Sequence, residues 1–412
     1  MSNQPGVPTA SARPFMVVGT SARDYRGFEE LEFSSWSGVN LLIGQNGAGK
    51  SALLRLIATG LCRFAQQLSA VDSPIEISKS DVRSGLDFAG IKLVLSDSEI
   101  IHIYEGNYPE IPGRTESFSG AIRHAGLYSK DGALTPPVFA HYTADRSFRS
   151  TSERALDVRR NAANSLYSDA FDAGGGFRPL LEWFRHRVHA ENQLRAKGEH
   201  TEDPQLNAVR GSVTTFMNGN LHIDLEALEM HVRRNDTLLS LDQLSDGERG
   251  LLALVADIAR RLAIAGKGLR DTNQGPGVIL VDELDLHLHP TWQRKVIRQL
   301  PKIFPNVQFF FTSNSPVMAG SAPPGSLFLI EEGQVKPQQY YGQDVALVLD
   351  ELFDTPARDE QIQRQLDALV AFIESQNQEE SLSELRALEA QLGTKDPDLT
   401  RARTRMRGLG LL

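Results

Sequence analysis

The pattern of hydrophobic and polar positions predicts an α/β protein with a helical C-terminal end. Short runs rich in β-branched and aromatic residues between 15 and 43 predict several strands, and 90–105 predicts a hairpin with its turn at 96–98. From 277 onward a buried strand, a helix that begins at Pro290 and a further strand follow one another. Such alternation is typical of a sheet whose parallel strands are connected by helices.

Other segments carry apolar residues at helical spacing. Lys50 to Arg63 has one apolar stripe, and 177–197 is amphipathic with a basic polar face. Near the C-terminus, two stripes separated by a polar break predict a helical hairpin. The stripe residues are Leu53, Leu54, Ile57 and Leu61 in the first helix, and Ile362, Leu366, Leu369, Val370, Ile373, Leu382, Leu385, Leu388 and Leu392 in the hairpin.

Composition limits the class of protein without naming it. The chain has 412 residues, 41% of them hydrophobic, and a formal net charge of −9, which argues against a wholly basic nucleic-acid binder but not against a local basic patch. The single cysteine, Cys62, cannot form an internal disulfide and fits a reducing compartment. No segment approaches the roughly 18 apolar residues of a membrane helix. We therefore expect a cytoplasmic protein with no membrane partner.

The segment GQNGAGKS at 44–51 matches the phosphate-loop pattern and lies between a predicted strand and a predicted helix. Glycines there let successive backbone N–H groups point at phosphate oxygens, and the helix N-terminus adds positive potential. Lys50 is expected to reach the β- and γ-phosphates of ATP, and the Ser51 hydroxyl to bind Mg²⁺. The residues expected to contact nucleotide in this segment are Asn46, Gly47, Ala48, Gly49, Lys50, Ser51 and Ala52.

The segment GVILVDELDLHLHP at 277–290 places two acids after a buried strand. Ligands of open α/β sheets bind at the carboxyl ends of the strands, and adjacent acids there need a cation or a partner. Asp282 is the expected Mg²⁺ ligand, and Glu283 is the expected acceptor of a proton from the attacking water. We interpret His287 and His289 as a turn before a helix, because two histidines without further ligands nearby are a weak metal signal.

The segment LSDGERG at 244–250 begins a predicted apolar helix. Ser245 is a typical N-cap residue and Glu248 completes a capping box, so local helix capping accounts for both. Capping does not explain Gly247. Free backbone N–H groups and the helix dipole at such a start also attract anions, which is the functional interpretation.

Four segments, GQNGAGKS, LSDGERG, VDELDLHLHP and FFFTSNSP, occur in the order and spacing of ABC-class ATPases. The chain resembles the RecF/SMC-like branch of that class, which includes the stand-alone ATPases of bacterial defence systems such as Septu. DYRGF at 24–28 resembles an element that this branch carries upstream of the phosphate loop, and we expect Arg26 within it to contact the nucleotide. The resemblance covers about 15–331 and implies an ABC-type core, in which a mixed sheet is flanked by helices.

The resemblance also implies a site shared between two chains. In ABC-class enzymes the signature loop caps the γ-phosphate that the other protomer binds, so Ser245, Gly247 and Glu248 are expected to contact nucleotide across a homodimer or a larger assembly. Asn314 stands where the family usually has a histidine; an amide can donate to the γ-phosphate but cannot shuttle a proton. Two interpretations stay open: slow turnover with ATP as a clamp, or a working variant.

No glutamine occurs in VFAHYTADRSF at 138–148, so the usual Q-loop residue is not assigned. Tyr142 and Arg146 match the family's local pattern in this stretch, but their roles stay open. The basic segments Arg146–Arg160 and Arg185–Lys197 are candidate DNA-binding surfaces, with a solvated charged face as the alternative.

An ATPase core does not specify its output. The resemblance favours an ATP-hydrolysing dimer whose nucleotide state controls a separate DNA-directed effector, such as an HNH-type nuclease, in anti-phage defence. The alternative is a RecF-like DNA-repair clamp; a transporter subunit suits the helical tail less well. The expected organisation is a disordered tail at 1–14, the first part of the core at 15–105, a helical or irregular insertion at 106–220, the second part of the core at 221–343 and the helical hairpin at 344–412.

Overall fold

The structure is a computed structural model of the chain. It describes residues 15–35, 38–68, 75, 77–96, 100–106, 135–144, 166–167, 170–171, 178–198, 202–217, 221–224, 229–234, 237–240, 243–266, 269 and 271–412. The expected tail at 1–14 and the basic segment Arg146–Arg160 lie outside these residues. The chain divides into two compact units, Met1–Gly342 and Gln343–Leu412. The boundaries expected at 105/106 and 220/221 stay predictions.

The strands of the described residues all belong to the first unit. In chain order they are β1 (Val17–Tyr25), β2 (Phe28–Ser34), β3 (Val39–Ile43), β4 (Phe88–Leu95), β5 (Ile100–Gly106), β6 (Val138–Tyr142), β7 (Leu221–Asp224), β8 (Glu229–Arg234), β9 (Thr237–Ser240), β10 (Gly277–Val281), β11 (Val307–Ser313), β12 (Leu327–Glu331) and β13 (Gln334–Gln338).

Helices occur in both units. In chain order they are α1 (Lys50–Leu68), α2 (Arg178–Ala196), α3 (Pro204–Phe216), α4 (Asp246–Ala265), α5 (Pro290–Ile303), α6 (Pro316–Ala319), α7 (Val345–Phe353), α8 (Glu360–Glu374), α9 (Gln378–Leu392) and α10 (Pro397–Gly408). Among the residues that the structure describes, no helix has both the length and the apolar character needed to span a bilayer.

The first unit contains three described sheets. A four-stranded antiparallel sheet has the order β2-β1-β4-β5, a six-stranded sheet has the order β13-β12-β3-β11-β10-β6, and β7, β8 and β9 form a small antiparallel sheet. In the six-stranded sheet, every pairing is parallel except that between β12 and β13. The expected mixed sheet flanked by helices is confirmed, as is the hairpin at 90–105.

The register of the parallel strands brings the carboxyl ends of four strands, β3, β6, β10 and β11, to one edge of the sheet. Val281 of β10 pairs with Phe311 of β11 and with Tyr142 of β6, and Ser313 of β11 pairs with Ile43 of β3. Strands β3, β10 and β11 are buried along their whole length, as expected for continuous apolar runs in a sheet covered on both faces. The residues that follow these strands therefore meet at the carboxyl edge.

Helix α1 connects the two large sheets. It contacts β4 and β5 of the four-stranded sheet as well as β6, β10 and β11 of the six-stranded sheet. All four residues of its predicted apolar stripe are fully buried. The helix ends at Leu68 rather than near Arg63, because Phe64 and Ala65 continue the buried surface for another turn. This packing fixes the start of α1 at the carboxyl edge of the sheet.

The second unit contains the predicted hairpin, formed by α8 and α9, together with α7 and α10. Helices α8 and α9 bury Leu366, Leu369, Ile373, Leu385 and Leu388, and α10 adds Leu399, Ala402 and Met406 to the same core. Val370, also on the predicted stripe, lies outside this core, because its side chain is 44% exposed. Successive residues of a helix are about 100° apart, which carries Val370 away from the face that Leu369 defines.

Candidate nucleotide-binding site

The loop at 44–49 has a backbone that only glycine permits at two positions. A Cβ on Gly44 would lie 2.4 Å from the carbonyl oxygen of Ile330, and one on Gly49, whose φ is +105°, would lie 2.5 Å from the ring of Phe28. At Gly47, φ is +85° and a Cβ would meet nothing within 4 Å. Gly44 and Gly49 allow the loop to pack on β12 and β2, whereas Gly47 supplies a left-handed conformation on the open side.

Lys50 begins α1 and its side chain is curled against the loop. The ammonium Nζ donates to the carbonyl oxygens of Gly44, at 2.8 Å, and Gln45, at 2.9 Å. Burial lowers the pKa of Lys50, and the negative charges of Asp282, Glu283 and Asp285 oppose this shift. The predicted phosphate-binding cation therefore lies within the loop and in the field of the predicted acids.

The two acids after β10 are held by β11 and α1. The Ser51 hydroxyl donates to Oδ1 of Asp282 at 3.0 Å, and the hydroxyl of Thr312, a buried residue of β11, donates to the same oxygen. The Thr312 hydroxyl also accepts the backbone N–H of Glu283 at 2.7 Å. Thr312 thus orients both acids, a role that the sequence analysis missed; its position at the end of a neighbouring parallel strand was the signal that could have found it.

The oxygen atoms gathered here suit magnesium. Mg²⁺ prefers oxygen ligands and is usually held by one or two carboxylates together with hydroxyl, phosphate and water oxygens. Ser51 and Asp282, the two predicted ligands, are in hydrogen-bond contact. Groups of three or more potential metal ligands of the His, Cys, Asp and Glu types do not occur among the described residues. The site therefore fits an ion that relies on nucleotide and water for its remaining ligands.

Asn314 and Asn46 link the end of β11 to the loop. The side-chain amide of Asn314 donates to Oδ1 of Asn46 at 3.0 Å, and both side chains are exposed. Ala48 is half-buried beside Gly44, and Ala52 is buried below the loop. Asn314, which stands where the family usually has a histidine, thus contacts the phosphate loop of its own chain.

The predicted signature turn forms a capping box at the start of α4. The Ser245 hydroxyl accepts the backbone N–H of Glu248, and the Glu248 carboxylate accepts the backbone N–H of Ser245. Gly247 has a local explanation that sequence reasoning missed: a Cβ there would lie 2.3 Å from the carbonyl oxygen of His287. The signature turn is therefore packed against the segment that follows the two acids.

Arg26 is paired with an acid outside the loop. Its Nε and Nη2 atoms each lie 2.7 Å from Oδ1 of Asp81, to which Arg55 of α1 also donates. Burial raises the pKa of Asp81, but hydrogen bonds from Ser78, Arg26 and Arg55 outweigh it and lower the pKa to about 2. The described hydrogen bonds therefore join Arg26 to Asp81 rather than to the loop, and its contact with nucleotide stays a prediction.

Strand β6 lies on the other side of the acids. The backbone N–H of Asp282 donates to the carbonyl of Tyr142 at 2.8 Å. Burial lowers the pKa of His141 to about 4 against the opposing charge of Asp282, so this imidazole is neutral near pH 7. Arg146 lies outside the described residues, and the Q-loop residue stays unassigned. His289 caps α5 by accepting the backbone N–H of Thr291, which agrees with a turn rather than a metal site.

A phosphate loop between the buried strand β3 and a helix, acids at the end of β10 on the far side of β11, and an added antiparallel sheet define an ABC-class P-loop ATPase fold. Residues 39–319 match the AAA_21 family, described as "AAA domain, putative AbiEii toxin, Type IV TA system". The chain belongs to this family.

Three relatives are similar to this chain over most of their length. The chain is 28% identical to "Retron Ec83 probable ATPase" of Escherichia coli, over 83% of this chain and 77% of that protein. It is 25% identical to "Retron Vc95 probable ATPase" of Vibrio cholerae serotype O1 biovar El Tor, over 76% and 73%. It is 23% identical to "Septu protein PtuA" of Bacillus thuringiensis, over 72% and 71%.

Solved structures resemble the chain more distantly. An SMC head domain from Thermotoga maritima has a TM-score of 0.39 and 14% identity, and covers 78% of this chain and 99% of that chain. An ATP complex of the recombination mediator RecF has a TM-score of 0.40 and 15% identity, with coverage of 79% and 99%.

Proposed function

We propose that this chain binds Mg²⁺ and ATP at the loop 44–51 and hydrolyses the γ-phosphate. One observation carries the proposal: Lys50, Ser51, Asp282 and Glu283, which come from two distant segments, meet at one edge of the six-stranded sheet. Names of relatives as probable ATPases support the same activity.

Each residue has a defined task in this proposal. Backbone N–H groups of 46–51 and the Lys50 ammonium hold the phosphates, and Ser51 and Asp282 hold Mg²⁺, which neutralises phosphate charge. Glu283 accepts a proton from the attacking water, with its backbone fixed by Thr312. Asn314 donates an amide hydrogen bond towards the γ-phosphate. Since an amide cannot take up a proton, we propose slow turnover.

The second part of the proposal is a homodimer with shared sites. Ser245 is exposed at the start of α4, and its turn is packed on the segment after the acids through Gly247. A second copy would place Ser245, Gly247 and Glu248 against the triphosphate that the first copy holds. ATP would then form part of the interface between the two chains, and its hydrolysis would release them.

The third part is the output. Relatives named as retron ATPases and as a Septu protein support a defence ATPase whose nucleotide state controls a separate effector. We propose an HNH-type nuclease as that effector. A neighbouring gene for a small nuclease would support this assignment, whereas a recombination operon would favour the RecF-like repair clamp instead.

DNA is proposed as a further ligand, bound by the exposed face of α2. Arg185, His186, His189 and Arg195 are exposed, whereas Arg187 pairs with Asp203 at 2.8 Å. Phosphate contacts by several cations would make the affinity fall by roughly tenfold or more between low and moderate salt. Fluorescence anisotropy with a short duplex measures this dependence, and an affinity that does not change with salt would remove the proposal.

The decisive experiment uses Glu283→Gln, which keeps the shape of the side chain but removes the proton acceptor. This variant should stay dimeric with ATP, while the wild type returns to the monomer as ATP is consumed. Light scattering coupled to size-exclusion chromatography measures the mass, and release of phosphate measures hydrolysis. Glu30→Gln makes the same exchange at an exposed position on β2 and should behave as the wild type. A Glu283→Gln protein that is monomeric at every ATP concentration would contradict the shared site.

A further inference from the structure

A buried ionic cluster joins β6 to the middle of α4. The Tyr142 hydroxyl donates to Oδ2 of Asp257 at 2.7 Å, and Asp257 forms ion pairs with Arg260 at 2.7 Å and Arg261 at 2.8 Å. All four side chains are at most 9% exposed. None of these four side chains has a task in the proposed function, and the sequence alone assigns no role to Tyr142.

Such a cluster is an expensive way to stabilise a fold. Removing charges from water costs several kcal/mol per ion, and well-packed apolar side chains of similar volume are often as stable. Burial raises the pKa of Asp257, but Arg260 and Arg261 together with the Tyr142 hydroxyl outweigh it and hold that pKa well below its usual range. Burial raises the pKa of Tyr142 well above its usual range, so the hydroxyl keeps its proton and stays a donor.

The cluster links two elements of the proposed nucleotide site through Tyr142. Tyr142 accepts the backbone N–H of Asp282 at 2.8 Å through its carbonyl, while its hydroxyl holds Asp257. Asp257 belongs to the helix that Ser245 caps. A helix rises about 1.5 Å per residue, so the signature turn lies roughly 18 Å from Asp257 along a rigid element. One residue therefore bonds both to the proposed Mg²⁺ ligand and to the signature helix.

A second set of hydrogen bonds joins α4 to the surroundings of β6. Arg261 donates to the carbonyl of Leu166 at 3.2 Å, and the neighbouring Ala170 carbonyl accepts the backbone N–H of His141. The segment that covers the edge of β6 is thus bonded to α4 as well. A displacement at the end of β6 is expected to be transmitted to α4 through both contacts.

We propose that Tyr142 is a positioning residue that couples the acid-bearing end of β10 to the signature helix α4, so that nucleotide at one site sets the position of Ser245. This inference rests on the proposed function for the nucleotide site, but it does not require dimerisation or hydrolysis to be measured.

The test compares a variant of Tyr142, which belongs to β6, with a variant of Tyr167, whose hydroxyl bonds to the residue before β6. Tyr142→Phe removes the hydroxyl that reaches Asp257. Tyr167→Phe removes an equally buried hydroxyl, which donates at 2.7 Å to the carbonyl of Pro137 just before β6 begins. Both variants lose one buried hydrogen bond, and the unfolding transition should shift more in Tyr142→Phe, because its lost acceptor is a charged carboxylate. Amide hydrogen exchange of residues 251–265, measured with and without ATP, reports whether nucleotide binding changes the stability of the buried part of α4.

ATP should slow exchange in this segment by about tenfold in the wild type and in Tyr167→Phe, and by less than about threefold in Tyr142→Phe. Affinity for a fluorescent ATP analogue should stay within about twofold in both variants. Equal exchange responses in the two variants would overturn the proposal, as would a wild type whose α4 does not respond to ATP. Failure of Glu283→Gln to dimerise while α4 still responds would count against the shared site and leave the coupling supported.

Discussion

The loop at 44–49 and the turn at 243–248 both lie at the N-terminus of a helix, yet their electrostatics are opposite. The first turn of α1 contains Lys50 and no acid. The first turn of α4 contains Asp246 and Glu248, and the backbone N–H of Glu248 is already bound by Ser245. A helix start attracts anions when its N–H groups are free and no acid neutralises it.

This difference indicates which turn can act alone. The loop is followed by Lys50 and by no acid in the first turn of α1, so it is suited to hold a triphosphate within one chain. The turn at 243–248 brings its own negative charge and its own cap, which makes it a poor anion site by itself. It is better suited to add a few contacts to a triphosphate that another chain already holds. The contrast thus gives a local physical reason for a shared site.

The largest expected effect is on the loop. Lys50→Ala should weaken ATP binding by about a hundredfold or more, because it removes the buried cation that is proposed to contact phosphate. Titration of the variant with a fluorescent ATP analogue measures the affinity. Lys302→Ala, which removes a cation from the last turn of α5, is the matched control and should bind as the wild type. Tight binding by Lys50→Ala would mean that the loop does not hold the phosphates.

Gly247→Ala tests the packing of the other turn. The new Cβ would lie 2.3 Å from the His287 carbonyl oxygen, so backbone atoms must shift, and the free energy of unfolding should fall by about 1–3 kcal/mol. Gly250→Ala in the same helix meets nothing within 4 Å and should raise it by about 0.5–1 kcal/mol. Urea denaturation measures both. A stable Gly247→Ala protein would leave the glycine to be explained by contacts in the assembly alone.

Features encoded by short local patterns could be predicted from the sequence. The phosphate loop, the capping box and the acids after β10 each occupy one short segment, and the structure has the strand, turn or helix start that each pattern predicts. The family and the ABC-type fold followed from the order of these segments. Helical spacing alone does not decide which flank of an apolar stripe is covered, and Val370 on one flank is 44% exposed.

Contacts between distant segments were beyond that reasoning. Thr312 acts on Asp282 and Glu283 because β10 and β11 are neighbours in the sheet, and Gly247 needs its small size because His287 lies against it. Strand order and close approach depend on packing across the whole fold. The cluster at Asp257 could not be predicted either, because it also depends on packing across the fold. In addition, charged residues in a helix normally indicate an exposed face.

Thr312→Val sharpens the comparison by loosening the acids beside the loop while leaving the loop intact. Hydrolysis should fall by about tenfold, because partners that orient metal ligands and acids typically contribute ten- to a hundredfold. ATP affinity should change little. Thr59→Val is the control, since its buried hydroxyl bonds the carbonyl of Arg55 within α1. Comparable loss of hydrolysis in both variants would show that Thr312 contributes packing rather than orientation.

The smallest effect is expected where the loop meets β11. Asn314 donates to Asn46 at 3.0 Å, and an imidazole in its place could also take up a proton. If the amide limits turnover, Asn314→His should raise the single-turnover rate by about two- to tenfold, within the range of general acid–base contributions. Asn314→Ala removes the hydrogen bond and serves as the matched variant. A rate that is unchanged by histidine but lowered by alanine would identify the asparagine as a working variant, in which the loop contact and not proton transfer matters.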